Sequence, residues 1–365
     1  MAAGYNTRPR AQSKYKNGRK RSICVRMLMW FFPWKGDGMF EATRKIIFLG
    51  ALGCFIYFGG SVVFDISNDL FQQRKIDIKM DTWFSGNTEI PDDVYHRIRA
   101  EKPDILEDYI VWYNENSDMV GHILLPDLSS PLSFDERGKY PINYFVVQAR
   151  NNTYYLNRAW DHSHSKGGSI FADSRNRFTD GQLSGNTVLY GHNIRTENYF
   201  SKLANYYRTR DTLSFYKNHP IVFFNSLYEK MEWKIFAVVL FNTQEHFGEV
   251  YRYNIAEFDN KDHFNSFILD IMDRSVLFTD VDITYGDHIL TLSTCHYPFT
   301  ERVDSRVAIF ARRVREGEDI FVDVDKATYN SKEYRWKEQR RRVGTHWNEN
   351  VREWDTSYLL SYDGD

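Results

Sequence analysis

The sequence predicts a mainly β domain with added helices, carried behind a single membrane-spanning helix. Three observations carry that expectation. From about residue 120 the chain breaks into short β-prone runs separated by polar turns, the pattern of a barrel or a sandwich. Residues 46–64, IIFLGALGCFIYFGGSVVF, contain no charged side chain. The chain of 365 residues is 42% hydrophobic and 16% aromatic, enough to bury a substantial core.

The charge balance bears on the membrane helix first. Residues 1–45 hold eleven Lys and Arg against two acids, a net of +9, so the rest of the chain carries −11 within a total of −2. A basic tail of this kind can bind nucleic acid. Here it abuts the apolar run, so a membrane is the expected partner and nucleic acid is not. At ~1.5 Å per residue, a helix over 46–64 reaches ~28 Å, close to the hydrocarbon thickness of a bilayer. The Lys and Arg before it predict a cytoplasmic N-terminus and an exported C-terminal body at the cell membrane. A cleaved signal peptide would carry a shorter basic region and an Ala-x-Ala site, and a buried core helix would lack the flanking charges. Residues 24–34 are also apolar, but Arg26 and Pro33 interrupt a run too short to span; it reads as an interfacial segment or a patch within the tail.

Residues 65–116 read as a helical lead-in. Ser67 is a candidate cap for a helix over 67–73, and Pro91-Asp92-Asp93 opens another running to about 114, interrupted at Pro103. Strands are expected over 120–125, 142–148, 153–156, 169–172, 186–190, 221–225, 231–242, 288–295 and 306–313. Two helices fit between them, over 198–207 and 262–274. The second carries Phe264, Phe267, Ile268, Ile271 and Met272 on one face, a core stripe rather than a ligand site. The expected divisions are thus a basic tail over 1–45, the anchor over 46–64, the lead-in over 65–116, the β domain over 117–325 and a charged, aromatic extension over 326–365. That extension reads as a helix laid on the body or a loose tail.

Cysteine usage directs attention to one residue. Cys24 falls before the span and Cys54 within it, which leaves Cys295 without an intramolecular partner on the exported side. An unpaired exported thiol is an intermolecular bridge, an inert buried group or a nucleophile. Cys295 closes the apolar run HILTLSTC over 288–295; His192 follows the strand-like NTVLY of 186–190, and Arg306 opens the run VAIFA over 307–311. Taken singly, each has a plain structural reading: a small buried thiol, a turn histidine, a surface charge. Together, at strand ends, a thiol, an imidazole and a guanidinium can build an acyl-transfer site. The sulfur attacks, the imidazole moves the proton of the departing and incoming amines, and the guanidinium steadies the oxyanion with its fixed fork of donors. Ser293 shares the Cys295 face at a spacing of two, and Tyr190 and Asn193 flank the histidine, so all three are groove candidates. Asp161-His162-Ser163-His164 has metal-type side chains but no third partner, and it reads as a solvated loop; no metal or cofactor is expected.

These residues resemble the sortases, and class B sortases of Gram-positive surfaces in particular. NTVLYGHN over 186–193 resembles that family's histidine motif. TLSTC over 291–295 matches its Thr-Leu-x-Thr-Cys motif, and RVAIF over 306–310 resembles its arginine strand. YYLN over 154–157, GSIF over 168–171 and the amphipathic helix before the cysteine strand are family-like as well. The resemblance covers roughly residues 117–315 with the lead-in and the anchor. It implies a closed eight-stranded β-barrel with N-terminal helices. It also implies a membrane-anchored cysteine transpeptidase that cuts a C-terminal sorting signal after Thr. The acyl group would rest on Cys295 as a thioester and pass to an amine of a peptidoglycan precursor or a pilin. Partners would be surface proteins bearing the sorting signal. Arg302 is a competing guanidinium; Arg306 is preferred because it begins the apolar strand beside the cysteine strand. The alternatives are an exported cysteine protease, for which a papain-like chain order would place Cys before His, and a membrane-tethered β-barrel adhesin with an inert thiol.

Overall fold

The structure is a computed structural model that describes residues 23–343 except 85, 87, 130–140, 180–181, 195–197, 208–211, 301 and 332. Most of the basic tail and residues 344–365 of the extension therefore lie outside the described residues. Two compact units are present, Met1–Ile66 and Ser67–Asp365.

In the first unit the apolar run of 24–34 becomes α1 (Ile23–Phe31), followed by a turn into α2 (Met39–Phe84). The turn is fixed by charge. Lys45 Nζ donates to Met29 O at 2.6 Å and to the Asp37 carboxylate at 2.9 Å, and Asp37 accepts from Trp34 N at 2.7 Å. By length and composition α2 is the one helix among the described residues able to cross a membrane, and its apolar stretch is unburied. Ser67 does not begin a new helix. Between the apolar run and Pro91 there is no proline to remove an N–H, so α2 continues through Ser67 to Phe84.

In the second unit the end of α2 buries Ile76 and Met80 in the core. After α2 come α3 (Asp92–Glu101) and α4 (Ile110–Glu115), with the break at Pro103 that its ring demands. The barrel strands are β1 (Met119–Leu125), β2 (Ile142–Val147), β3 (Phe171–Ala172), β4 (Asn186–Tyr190), β5 (Ile221–Ser226), β6 (Glu232–Asn242), β7 (Ile289–His296) and β8 (Ser305–Arg313). They close in the order β1-β2-β3-β4-β7-β8-β6-β5, with β2/β3 and β4/β7 parallel and the other pairs antiparallel. Alternation along β7 and β8 sends Leu290, Leu292, Val307 and Ile309 into the interior cluster. Ala308 and Phe310 join an outer cluster. The helix α6 (Lys261–Arg274) covers that outer face with Phe264, Phe267, Ile268, Ile271 and Met272, all buried, and Asn260 caps it by accepting from His263 N at 2.9 Å.

Two expected strands differ. Residues 154–157 form a 3₁₀ turn, because Asn151 Oδ1 accepts from Thr153 N and Tyr154 N, both at 3.0 Å, and offers the backbone a local alternative to a ladder. Only Phe171–Ala172 remains of the strand over 169–172, since the chain turns at Gly168, whose φ is +62°. The helix expected over 198–207 is a 3₁₀ helix, Ser201–Tyr207. A short α5 (Thr212–Asn218) precedes β5. The described part of the extension lies on the body: Thr328–Tyr329 pairs with Leu277–Phe278, and α7 (Lys337–Val343) follows the buried Trp336.

His122 on β1 gives the barrel a defined acid sensitivity. It is buried, faces Trp83 with ring centroids 4.4 Å apart, and its Nε2 lies 2.7 Å from Asn143 Oδ1. Burial pushes the imidazole down to about 4. A depressed folded value means stability that is present above the unfolded value and lost as pH falls toward the folded one. We expect an His122→Gln variant to lose on the order of 3 kcal/mol less than the parent between pH 7 and pH 4. Thermal melts across that range test this, and superimposable pH profiles would contradict it.

Candidate active site

The antiparallel register of β7 and β8 pairs Cys295 directly with Arg306. Opposed residues of such a pair project on one face with Cβ atoms ~5 Å apart, so sulfur and guanidinium emerge side by side. They share the face of Thr291 and Ser293, outside the barrel interior. Cys295 is a free, half-buried thiol. Arg306 Nη1 donates to the Asp304 carboxylate and to Ser305 O, the latter at 3.0 Å. Burial works against the Arg306 charge. The negative charge of Cys295 and the Asp304 hydrogen bond outweigh it, and the guanidinium is held above its ordinary value. Arg302 is exposed in the connection between the two strands.

His192 arrives from the other side. β4 runs parallel to β7 with Tyr190 in register with Ser293. Past that pair Gly191 N donates to Ser293 O at 3.2 Å, Thr294 Oγ1 donates to Gly191 O at 2.7 Å, and Asn193 Nδ2 donates to Cys295 O at 2.9 Å. These bonds bracket His192 and hold its backbone alongside Thr294 and Cys295. Gly191 leaves room for Phe200 beside the histidine, because a Cβ there would sit 2.8 Å from the Phe200 ring. The His192 Nε2 lies 2.8 Å from Leu156 O in the 3₁₀ turn. A carbonyl only accepts, so Nε2 carries a proton, and Nδ1 is the nitrogen left to exchange one.

The groove candidates have definite surroundings. Ser293 Oγ lies 2.7 Å from Tyr253 OH. The Tyr253 ring stacks on Phe241 at 4.5 Å, and Phe241 is the register partner of Arg306 across β8 and β6. Tyr253 therefore lies over the row Cys295–Arg306–Phe241. Burial holds its phenol above the ordinary value, and it interacts with the charges of Arg306 and Cys295. The sequence reading missed Tyr253: it sits in an irregular segment before α6 that carries no periodic signal. Tyr190 OH donates to Asp173 Oδ2 at 2.8 Å and accepts from Asn254 Nδ2 at 3.1 Å, which ties Tyr190 to that same segment. Tyr297 is pushed up to about 12 by burial and then by the charge of Cys295.

Other candidates are occupied elsewhere. Asp161 pairs with Lys75 at 2.9 Å, and His162 Nδ1 lies 3.3 Å from the Tyr154 and Tyr155 hydroxyls. Among the described residues no group of three or more His, Cys, Asp or Glu could hold a metal ion. His296 turns away from the sulfur, its Nε2 donating to Tyr207 O at 3.3 Å.

A closed mixed barrel with a free thiol opposite a guanidinium, and a histidine bracketed against the same strand, is an arrangement with the chemistry for cysteine acyl transfer. A sortase-domain family model matches residues 139–314. Sortase B of Staphylococcus aureus is 31% identical over 200 residues, covering 55% of this chain and 72% of that protein. Sortase B of Listeria monocytogenes is 28% identical over 251 residues, 69% of this chain and 89% of that one. The solved Staphylococcus aureus sortase B–substrate complex is similar with a TM-score of 0.47 at 28% identity, covering 61% of this chain and 92% of that chain. The chain belongs to the sortase family, as a class B cysteine transpeptidase.

Proposed function

We propose that Cys295 is the nucleophile, His192 the proton carrier and Arg306 the oxyanion donor of a transpeptidase acting on sorting signals. The thiolate attacks the carbonyl carbon of the signal's Thr, and the oxyanion that forms accepts from the Arg306 fork. As the C–N bond breaks, His192 Nδ1 gives its proton to the leaving amine and a thioester remains on Cys295. A primary amine then attacks the thioester carbonyl. Its proton passes to His192 Nδ1, the C–S bond breaks, and the thiolate is restored. The acceptor amine belongs to a peptidoglycan precursor or a pilin, and the substrate is a surface protein bearing the signal. Membrane tethering through residues 46–64, N-terminus inside, would hold enzyme and acceptor at one surface and raise their encounter rate.

The observation that carries this reading is the direct pairing of Cys295 with Arg306 while His192 is bracketed against the same strand. Its test uses the full chain and a panel of sorting-signal peptides, with mass spectrometry of the enzyme and products. We expect one acyl fragment ending in Thr on Cys295, and an added primary amine that diverts the product to an amide. Hydrolysis unaffected by amine would assign a protease instead; intact peptide across the panel would favour a non-enzymatic adhesin.

A further inference from the structure

Past the barrel, the described part of the C-terminal extension returns to the connection that joins Cys295 to Arg306. Among the described residues of that connection, Val303 N donates to Thr300 O at 3.0 Å, and Asp304 N uses the Gln244 side chain at 3.2 Å. Thr243 Oγ1 donates to Asp304 O at 2.9 Å and lies 3.0 Å from Asp304 Oδ2, and the stretch before Asp304 is held by apolar contact. Val303, 1% exposed, forms a separate small cluster with Leu240 and Trp336, and Phe299 packs edge-on against Trp336 at 5.8 Å. The seat of Trp336 is fixed, since its Nε1 donates to Leu240 O at 3.2 Å, and Leu240 pairs with Val307, the neighbour of Arg306. The extension also reaches the other end of the connection. Gln339, buried, donates from Nε2 to Tyr207 OH at 2.9 Å, and Tyr207 O accepts from His296, the neighbour of Cys295. Its backbone approaches closely enough that a Cβ on Gly248, whose φ is +138°, would lie 2.8 Å from Lys337 N.

We propose that Trp336 is a positioning residue for the transpeptidation: by clamping Phe299 and Val303 it fixes the Asp304–Arg306 pair opposite Cys295. An oxyanion donor is effective only when held within a fraction of an ångström of its working place. Asp304 fixes the Arg306 fork, and it sits directly beside Val303. The described part of the extension thus supports the catalytic centre from behind, through Trp336 rather than through a side chain at the reacting atoms. This inference rests on the assignment of Arg306 as the oxyanion donor.

The test is a kinetic cycle on the full chain with a cleaved sorting-signal peptide. Trp336→Leu is expected to lower kcat at least tenfold with KM within twofold, and Trp336→Phe, which keeps a ring against Phe299 but loses the bond to Leu240 O, to lower kcat by less than Trp336→Leu does. Arg306→Lys, which keeps the charge but not the fork, is expected to lower kcat at least tenfold. In that background Trp336→Leu should cost less than a further twofold, because its effect runs through the lost guanidinium. A merely structural role would lower kcat equally in both backgrounds, and that result, or a Trp336→Leu enzyme at full speed, overturns the proposal. Should Trp336→Leu not fold, Phe299→Leu probes the same contact from the half-buried side with the same expectations. An Arg306→Lys enzyme as fast as the parent would instead remove the Arg306 assignment, and this inference with it.

Discussion

Cys295→Ala is expected to lower turnover of a sorting-signal peptide by on the order of 10⁴-fold or more and to abolish the acyl-enzyme, with thermal stability close to the parent. The two halves of that expectation come from different atoms. Cys295 is held by its backbone: the ladder to β8 and the Asn193 Nδ2 bond to Cys295 O do not involve the sulfur. Removing one half-buried sulfur leaves that bracket intact, so the cost to folding should be within about 1 kcal/mol. Chemistry has no such reserve. Under the proposed roles Arg306 and His192 would remain, but the two other cysteines of the chain, Cys24 and Cys54, precede the barrel in sequence and belong to the first unit. Peptide turnover, intact-protein mass and a thermal melt of the same preparation decide it. Full turnover in the alanine variant would remove Cys295 as nucleophile and with it the thioester.

How far the site could be read from sequence depends on whether a contact is local. Along β7 the alternation of Leu290, Leu292 and Thr294 against Thr291, Ser293 and Cys295 follows from the strand period alone. Arg306, at the head of the next apolar run, was legible as beginning the strand beside Cys295, whereas its direct pairing with Cys295 comes from the ladder. The α6 stripe is legible for the same reason, since five apolar residues at helical spacing need a sheet to cover. What was not legible depends on long-range closure. Nothing near Tyr253 announces that its ring stacks on Phe241 and its hydroxyl meets Ser293, because the segment is irregular and its place is set by packing. The Leu156 carbonyl that faces His192 lies in a turn made by the Asn151 side chain, where β-prone Tyr-Tyr-Leu suggested a strand. The extension read as a helix laid on the body or a loose tail, and its sequence did not say where on the body a helix would land. Only the fold brings Trp336 to Phe299, and only the fold carries α2 past Ser67.

Arg306→Ala is expected to lower kcat with the sorting-signal peptide by about 10²–10³-fold, or roughly 3–4 kcal/mol of transition-state stabilisation, while Arg302→Ala stays within about twofold. Both residues flank the same connection, and both present a full positive charge within a few residues of the sulfur's partner strand. Net charge therefore does not separate them; geometry does. Arg306 is the cross-strand partner of Cys295, and its fork is pre-oriented by Asp304 and Ser305 O. It is also partly withdrawn from water, where a donor counts for more than it would at the surface. Arg302 is exposed, so water screens its charge and its side chain must surrender rotamer freedom to act. Because the oxyanion exists only in the transition state and intermediate, losing Arg306 should appear in kcat more than in KM. If Arg302→Ala showed the large loss and Arg306→Ala kept its speed, the two guanidinium groups would exchange roles, and the exposed connection would have to close over the thioester during turnover.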